Sequence, residues 1–194
     1  MNHRIQNLFI LFFTFLSLTL NAQKVIHILP LGNVNDDVIN VIESAVYEFY
    51  GYKCVVSTKV PLTKDILADS KTRYEAGKIL AKYKSNKNLL IITEKDIASK
   101  KGNVKEWGIF GLGYRPGQTC VVSTFRIKRK ATITVFKERL KKVCIHEIGH
   151  NLGLNHCTSG NLKCLMNDAN GTIKQVDRES LYFCAQCVRF LKAL

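Results

Sequence analysis

One stretch restricts this chain more than any other: His146-Glu147-Ile148-Gly149-His150-Asn151-Leu152-Gly153-Leu154-Asn155-His156. On a helix, His146 and His150 lie one turn apart on the same face, so both imidazoles can reach one metal. Glu147 points beside that face, where it can hold a water. Gly153 can take the left-handed conformation that ends a helix, after which the chain turns back and His156 supplies a third ligand. Three ligands leave the fourth position of a tetrahedral zinc open, as hydrolysis requires. The context agrees. Ile133, Phe136, Leu140, Val143, Ile145, Ile148 and Leu152 recur at mostly helical spacing, which predicts a helix over 132–152 that is largely buried near the motif. Glu138 and Lys142 are expected to pair at i,i+4 on its exposed side.

A second metal pattern follows without a gap. Cys157 succeeds His156, Cys164 precedes Leu165-Met166, and Cys184 and Cys187 form C-x-x-C. Four cysteines so arranged read as a closed, structural zinc site. Cys184 and Cys187 are expected inside a C-terminal helix that starts at Asp177, with Val176 and Leu181 as its hydrophobic staple. Because His156 and Cys157 are neighbours, the two sites would be tied together mechanically, and the structural zinc would fix the loop that presents His156. Two disulfides, for instance Cys157–Cys164 and Cys184–Cys187, remain the alternative in an oxidising compartment.

The whole pattern, HExxHxxGxxHC, then C-x-M, then seventeen residues (167–183), then C-x-x-C, resembles that of the archaemetzincin family of metalloproteases. The family pattern places four residues between its first two cysteines, and this chain has six (158–163). The resemblance is strongest over 132–191 and extends more weakly upstream. It implies a zincin-like fold and a catalytic zinc on His146, His150 and His156, with Glu147 as general base. It also implies a structural zinc on Cys157, Cys164, Cys184 and Cys187, and a Met-turn residue, Met166, under the catalytic zinc. In metzincins an antiparallel edge strand pairs with extended substrate, and by position 107–113 is the candidate here. The implied function is zinc-dependent hydrolysis of peptide bonds in a peptide or protein substrate. The alternative is a non-catalytic zinc-containing protein that binds peptides or surfaces. The oxyanion-stabilising group is not identified by any motif; Tyr114 and Tyr182 are candidates.

The rest of the chain supplies its setting. Arg4 precedes the apolar run Leu8–Leu20, and Asn21-Ala22 follows. This reads as a signal peptide over 1–22, cleaved after Ala22, too short for a comfortable membrane span. The expected product is exported, periplasmic or secreted: one catalytic domain over 23–194, with an upper part (23–153) and a zinc-bound C-terminal part (154–194). A net charge of +14 includes basic clusters at 100–101, 126–130 and 137–142. These form a solvated basic face, or a contact to anionic surfaces. Export and the lack of a recognised module argue against nucleic acid. A monomer is expected. Cys54, Cys120 and Cys144 receive no role.

Periodicity upstream predicts strands at 24–29, 52–58, 88–93, 107–113 and 119–124. It predicts helices at 36–50 and from a Thr63 cap to about Tyr83, with Leu62 and Leu67 as a staple. The apolar run at 88–93 predicts a strand buried on both faces. Strands alternating with helices imply an α/β fold, a mixed twisted sheet backed by helices.

Overall fold

The computed structural model describes residues 24–193; the expected signal peptide lies outside them. Among the described residues no helix is long and apolar enough to cross a membrane. Strand β1 (Val25–Leu31) leads into helix α1 (Asp36–Tyr50), whose ends match their sequence cues. The Asn35 side chain accepts a hydrogen bond from the Asp37 amide, Asp36 and Asp37 face the positive end of the helix dipole, and Gly51 closes the helix at φ 67°. Strand β2 (Lys53–Val56) pairs parallel to β1 on one side, and β4 (Leu89–Thr93) pairs parallel to it on the other. Beyond β4 come β8 (Thr119–Ser123), parallel, and β7 (Gly111–Gly113), antiparallel at the edge.

The sheet separates two cores, because neighbouring side chains of a strand point to opposite faces. Leu90 and Ile92 of β4 join Ile26, Ile28, Cys120 and Val122 on one face. That face packs on α1 and, past the short helix α3 (Thr124–Ile127), on the long helix α4 (Ile133–Asn151). Ile91 joins Leu31 and Val121 on the other, under helix α2 (Ala76–Lys82). The expected burial of β4 on both faces is what the structure has. Helix α4 begins at Thr132, whose hydroxyl accepts the Val135 amide, and the chain leaves it through Gly153 at φ 97°.

Four expectations are corrected. The segment 63–83 is not one helix: a 3-10 turn (Lys64–Ile66) and a two-residue strand β3 (Tyr74–Glu75) precede α2. Thr63 makes no side-chain cap there. Between them the backbone turns at Lys71 (φ 57°), while Glu106 accepts the Ser70 amide and Arg73 pairs with Asp96. Glu106 thus satisfies a Ser70 amide that a helix would have bonded internally, and the Arg73–Asp96 pair anchors the turn to a distant segment.

The stretch 107–113 is two strands, not one. Strand β6 (Val104–Ile109) pairs antiparallel with β5 (Ile97–Lys101), a strand the sequence reading omitted, in a small sheet β3-β5-β6. At Phe110, whose side chain enters the main core, the chain changes sheets and continues as β7.

The C-terminal helix does not start at Asp177. Helix α5 (Ile173–Arg178) stops, residues 179–183 form an irregular bend in which the Tyr182 amide donates to the Ser180 carbonyl, and α6 (Ala185–Lys192) begins with Cys184 as its cap residue. The Ser180 amide donates to the Lys163 carbonyl and the Leu165 amide to the Tyr182 carbonyl, so this connecting segment lies against the loop that carries Cys164.

Finally, Glu138 pairs with Lys141, not Lys142, whose ammonium donates to the Val176 carbonyl at 2.9 Å. Asp177, the expected helix start, instead holds the Arg139 guanidinium in two bonds of 2.7 and 2.8 Å.

Candidate metal centres and cleft

His146 and His150 lie one turn apart on α4, and the left-handed Gly153 returns the chain so that His156 faces them. Ring centroids are 4.6 Å apart for His146–His150, 4.9 Å for His150–His156 and 5.4 Å for His146–His156. One nitrogen from each ring lies within 4.8 Å of the others. The tautomers follow from the partners. A carbonyl oxygen can only accept, so Nδ1–H of His146 donates to Leu165 O and Nδ1–H of His150 donates to Leu154 O, each at 2.7 Å. Nε2 of both rings therefore keeps its lone pair for a metal, with the ring orientation held from behind. Burial, and then the neighbouring His150, lowers His146 to about 3. Burial also lowers His150 and His156. All three are neutral near pH 7, the form that ligates.

Glu147 is buried, and burial alone raises its carboxyl to about 8. A cation among the histidines would draw that value back down. Space for the carboxylate exists only because Gly111 has no side chain: a Cβ there would lie 2.6 Å from Glu147 Oε1. A Cβ added at Gly113 would likewise lie 2.9 Å from the Glu147 carbonyl oxygen. The edge strand thus runs directly over the helix that carries the motif.

The four motif cysteines form a second cluster. Their Sγ atoms lie within 4.8 Å of one another, with Cys157–Cys184 at 3.5 Å, Cys164–Cys187 at 3.7 Å and Cys184–Cys187 at 3.8 Å. Zinc–sulfur bonds of about 2.3 Å at tetrahedral angles put sulfurs about 3.8 Å apart. A disulfide would need about 2.0 Å, and all seven cysteines are unpaired. The spacing fits a zinc tetrahedron and not the pairings Cys157–Cys164 and Cys184–Cys187. Burial favours the neutral thiol of Cys184, but hydrogen bonds led by the Ser159 hydroxyl outweigh it and hold Cys184 at about 6. Burial keeps Cys164 and Cys187 raised. Four thiolates this close need a cation to coexist.

Three consecutive residues join the two clusters. Cys164 belongs to the sulfur site, and Leu165 O orients His146. Met166 is fully buried against Gly149, where an added Cβ would meet its Sδ at 2.8 Å, and its carbonyl accepts the Cys157 amide. Met166 therefore lies against the motif helix at Gly149, the residue before His150.

A cleft of about 520 Å³ contains the three histidines and Glu147. Its walls include β7, the end of β6 with Trp107, the 167–171 loop, and Lys142, Val143, Val176 and Glu179. Strand β7 ends the sheet, so its outer edge can add an extended peptide.

Neither Tyr114 nor Tyr182 lines this cleft; the Tyr182 hydroxyl is bonded to Asn161 instead. Sequence reasoning missed Asp168, whose Oδ2 is 4.0 Å from His156 Nδ1. It also missed the Leu154 and Leu165 carbonyls, which no residue type announces. Cys120 and Cys144 are buried in the core, and burial pushes both thiols up; Cys54 is pushed to about 11, again by burial. Such thiols are poor nucleophiles.

Known proteins resemble this chain in sequence and fold. The model of peptidase family M54 matches residues 58–193. An archaemetzincin of Halobacterium salinarum is 29% identical over 175 residues, covering 84% of this chain and 97% of the relative. The crystal structure of archaemetzincin from Archaeoglobus fulgidus, complexed with malonate, superposes with a TM-score of 0.75 at 30% identity. It covers 85% of this chain and 98% of that one. The archaemetzincin structure from Methanopyrus kandleri shares the fold, with a TM-score of 0.75 at 24% identity over 91% of this chain and 97% of its own. The chain belongs to peptidase family M54, the archaemetzincins, a family of zinc metallopeptidases.

Proposed function

We propose that this chain hydrolyses peptide bonds with Glu147 as general base, beside a catalytic zinc on His146, His150 and His156. A second, structural zinc would sit on Cys157, Cys164, Cys184 and Cys187. The observation that carries the reading is the meeting of three neutral imidazoles and a buried carboxylate under a free strand edge. Zinc at the histidines supplies Lewis acidity toward a carbonyl oxygen and toward water. Strand β7 aligns the extended substrate by main-chain hydrogen bonds. Glu147 takes the proton of the attacking water and passes it to the leaving amine.

Replacing Glu147 by Gln keeps shape and removes the base. Purified Glu147→Gln should hold the same zinc content as the wild-type chain, two ions in each by elemental analysis, while peptide turnover falls at least about 100-fold. Turnover within a few-fold of wild type would remove Glu147 from the mechanism. A wild-type chain that holds both ions and cleaves no peptide would favour a zinc-containing binding protein.

A further inference from the structure

The cleft extends beyond the histidines into a recess. Helix α4 and β7 run side by side in the same direction, since Gly111 lies against the Glu147 side chain and Gly113 against the Glu147 carbonyl, His150 and Asn151. Lys142 and Val143, one turn before His146 and Glu147, therefore lie about 6 Å beyond the Gly111 end. A peptide added antiparallel to β7 carries its N-terminal half past Gly113 and its C-terminal half past Gly111. On that path the side chain that follows the scissile bond would face the part of the cleft walled by Lys142, Val143, Val176 and Glu179.

Glu179 makes this recess unusual. Its side chain is buried, at 5% exposure, yet Oε1 accepts only Gln175 Nε2–H at 3.1 Å. Among the described residues no lysine or arginine forms an ion pair with it. Lys142, the nearest candidate, directs its ammonium to the carbonyls of Val176 (2.9 Å) and Asp177 (3.5 Å). Burial raises Glu179 to about 7, with the Gln175 hydrogen bond and Lys142 only partly opposing it. An ionised carboxylate has room for about four hydrogen bonds, so this one is built for a partner that the chain does not provide. The valines on either side suit the aliphatic stem of a long cationic side chain.

We infer that the recess selects arginine or lysine at the position following the scissile bond, with Glu179 as the specificity-determining residue. The inference rests on the peptidase reading above. A substrate cation would complete a charge-assisted pair in a water-poor recess, while leucine would leave the carboxyl without a partner.

The test uses zinc-loaded protein and peptides that differ only at that position: Arg, Lys, Leu or Glu. Arg and Lys should exceed Leu at least tenfold in kcat/KM. Glu179→Gln should lower the Arg:Leu ratio about tenfold, and Glu48→Gln, exposed on α1 and outside the cleft, should leave it unchanged. Labelled forms of the same peptides should bind the Glu147→Gln protein in the same order by fluorescence anisotropy, a readout independent of turnover. Equal use of Leu by the wild type, or an unchanged ratio in Glu179→Gln, would overturn the inference. Should Glu179→Gln fail to fold, the wild-type ranking decides alone. If the wild type cleaves nothing while Arg peptides still bind preferentially, the peptidase reading fails and the recess assignment stands; absence of any preference in binding overturns the assignment.

Discussion

Glu147 and Gly111 depend on each other. The carboxylate occupies the space that any other residue at position 111 would fill with its Cβ, 2.6 Å from Oε1. Glycine here reflects close approach and not turn geometry, since β7 is an ordinary antiparallel strand at this point. Gly111→Ala should therefore fold and retain zinc but displace Glu147, and a displacement approaching 1 Å costs roughly 10- to 100-fold in kcat. Steady-state kinetics with a parallel zinc assay would check this; an unchanged kcat would mean that Glu147 has slack. At this scale the sequence was highly legible. All seven proposed ligand residues fall into the two clusters expected of them. Asp168 was not legible, because a loop aspartate has no pattern that marks it as the neighbour of His156.

Between elements, the segment 164–166 does most to join the molecule's halves. It gives a sulfur to one cluster, a carbonyl to His146 and a methionine to the underside of α4. Sequence reasoning expected coupling through the adjacent pair His156-Cys157. The structure adds this second route, which depends on main-chain carbonyls. Cys187→Ser should consequently do more than remove the proposed structural zinc. With residue 164 released, the histidine site should lose its zinc to a chelator about tenfold faster, the size of effect typical when a ligand's supporting hydrogen bond is weakened. Stopped-flow chelation compared with wild type would show it, and an identical rate would mean the clusters are independent. The helix expected over 63–83 failed at this scale too. Its periodicity was real at Ala76, Ile79 and Leu80. Upstream, contacts to Asp96 and Glu106, distant in sequence, outweighed local propensity.

Across the whole molecule, stability should respond to pH through Glu179. An unfolded glutamate titrates near 4.5, and burial raises this one to about 7 when folded. Its favourable contribution is present below about 4.5 and is lost as pH rises through about 7, because ionisation then favours the unfolded chain. Glu179→Gln should accordingly be more stable than wild type at pH 8, by on the order of 1–3 kcal/mol, with the difference shrinking toward zero as pH falls below 5. Denaturant unfolding of both proteins at matched zinc, across that range, would reveal the trend. A difference independent of pH would mean Glu179 is not buried as an acid. The same substitution should weaken the recess proposed for basic side chains, so stability and selectivity would be opposed there.

Residue order by itself determined which residues gather into the two candidate metal clusters. His146, Glu147, His150, Gly153 and His156 act through spacings of a few residues, which helix geometry alone turns into a common point. The four cysteines were legible for the same reason of ligand type, and α1 was legible because its caps are local. Tertiary structure decided what depends on partners far along the chain. It split 107–113 at Phe110 between two sheets, and it ended α5 so that 180–182 could pair beside Cys164. It also brought Glu179 to the cleft without an ion-pair partner among the described residues. Side-chain periodicity reports which face of an element is apolar, but not which distant element will cover it, and these outcomes rest on that second fact.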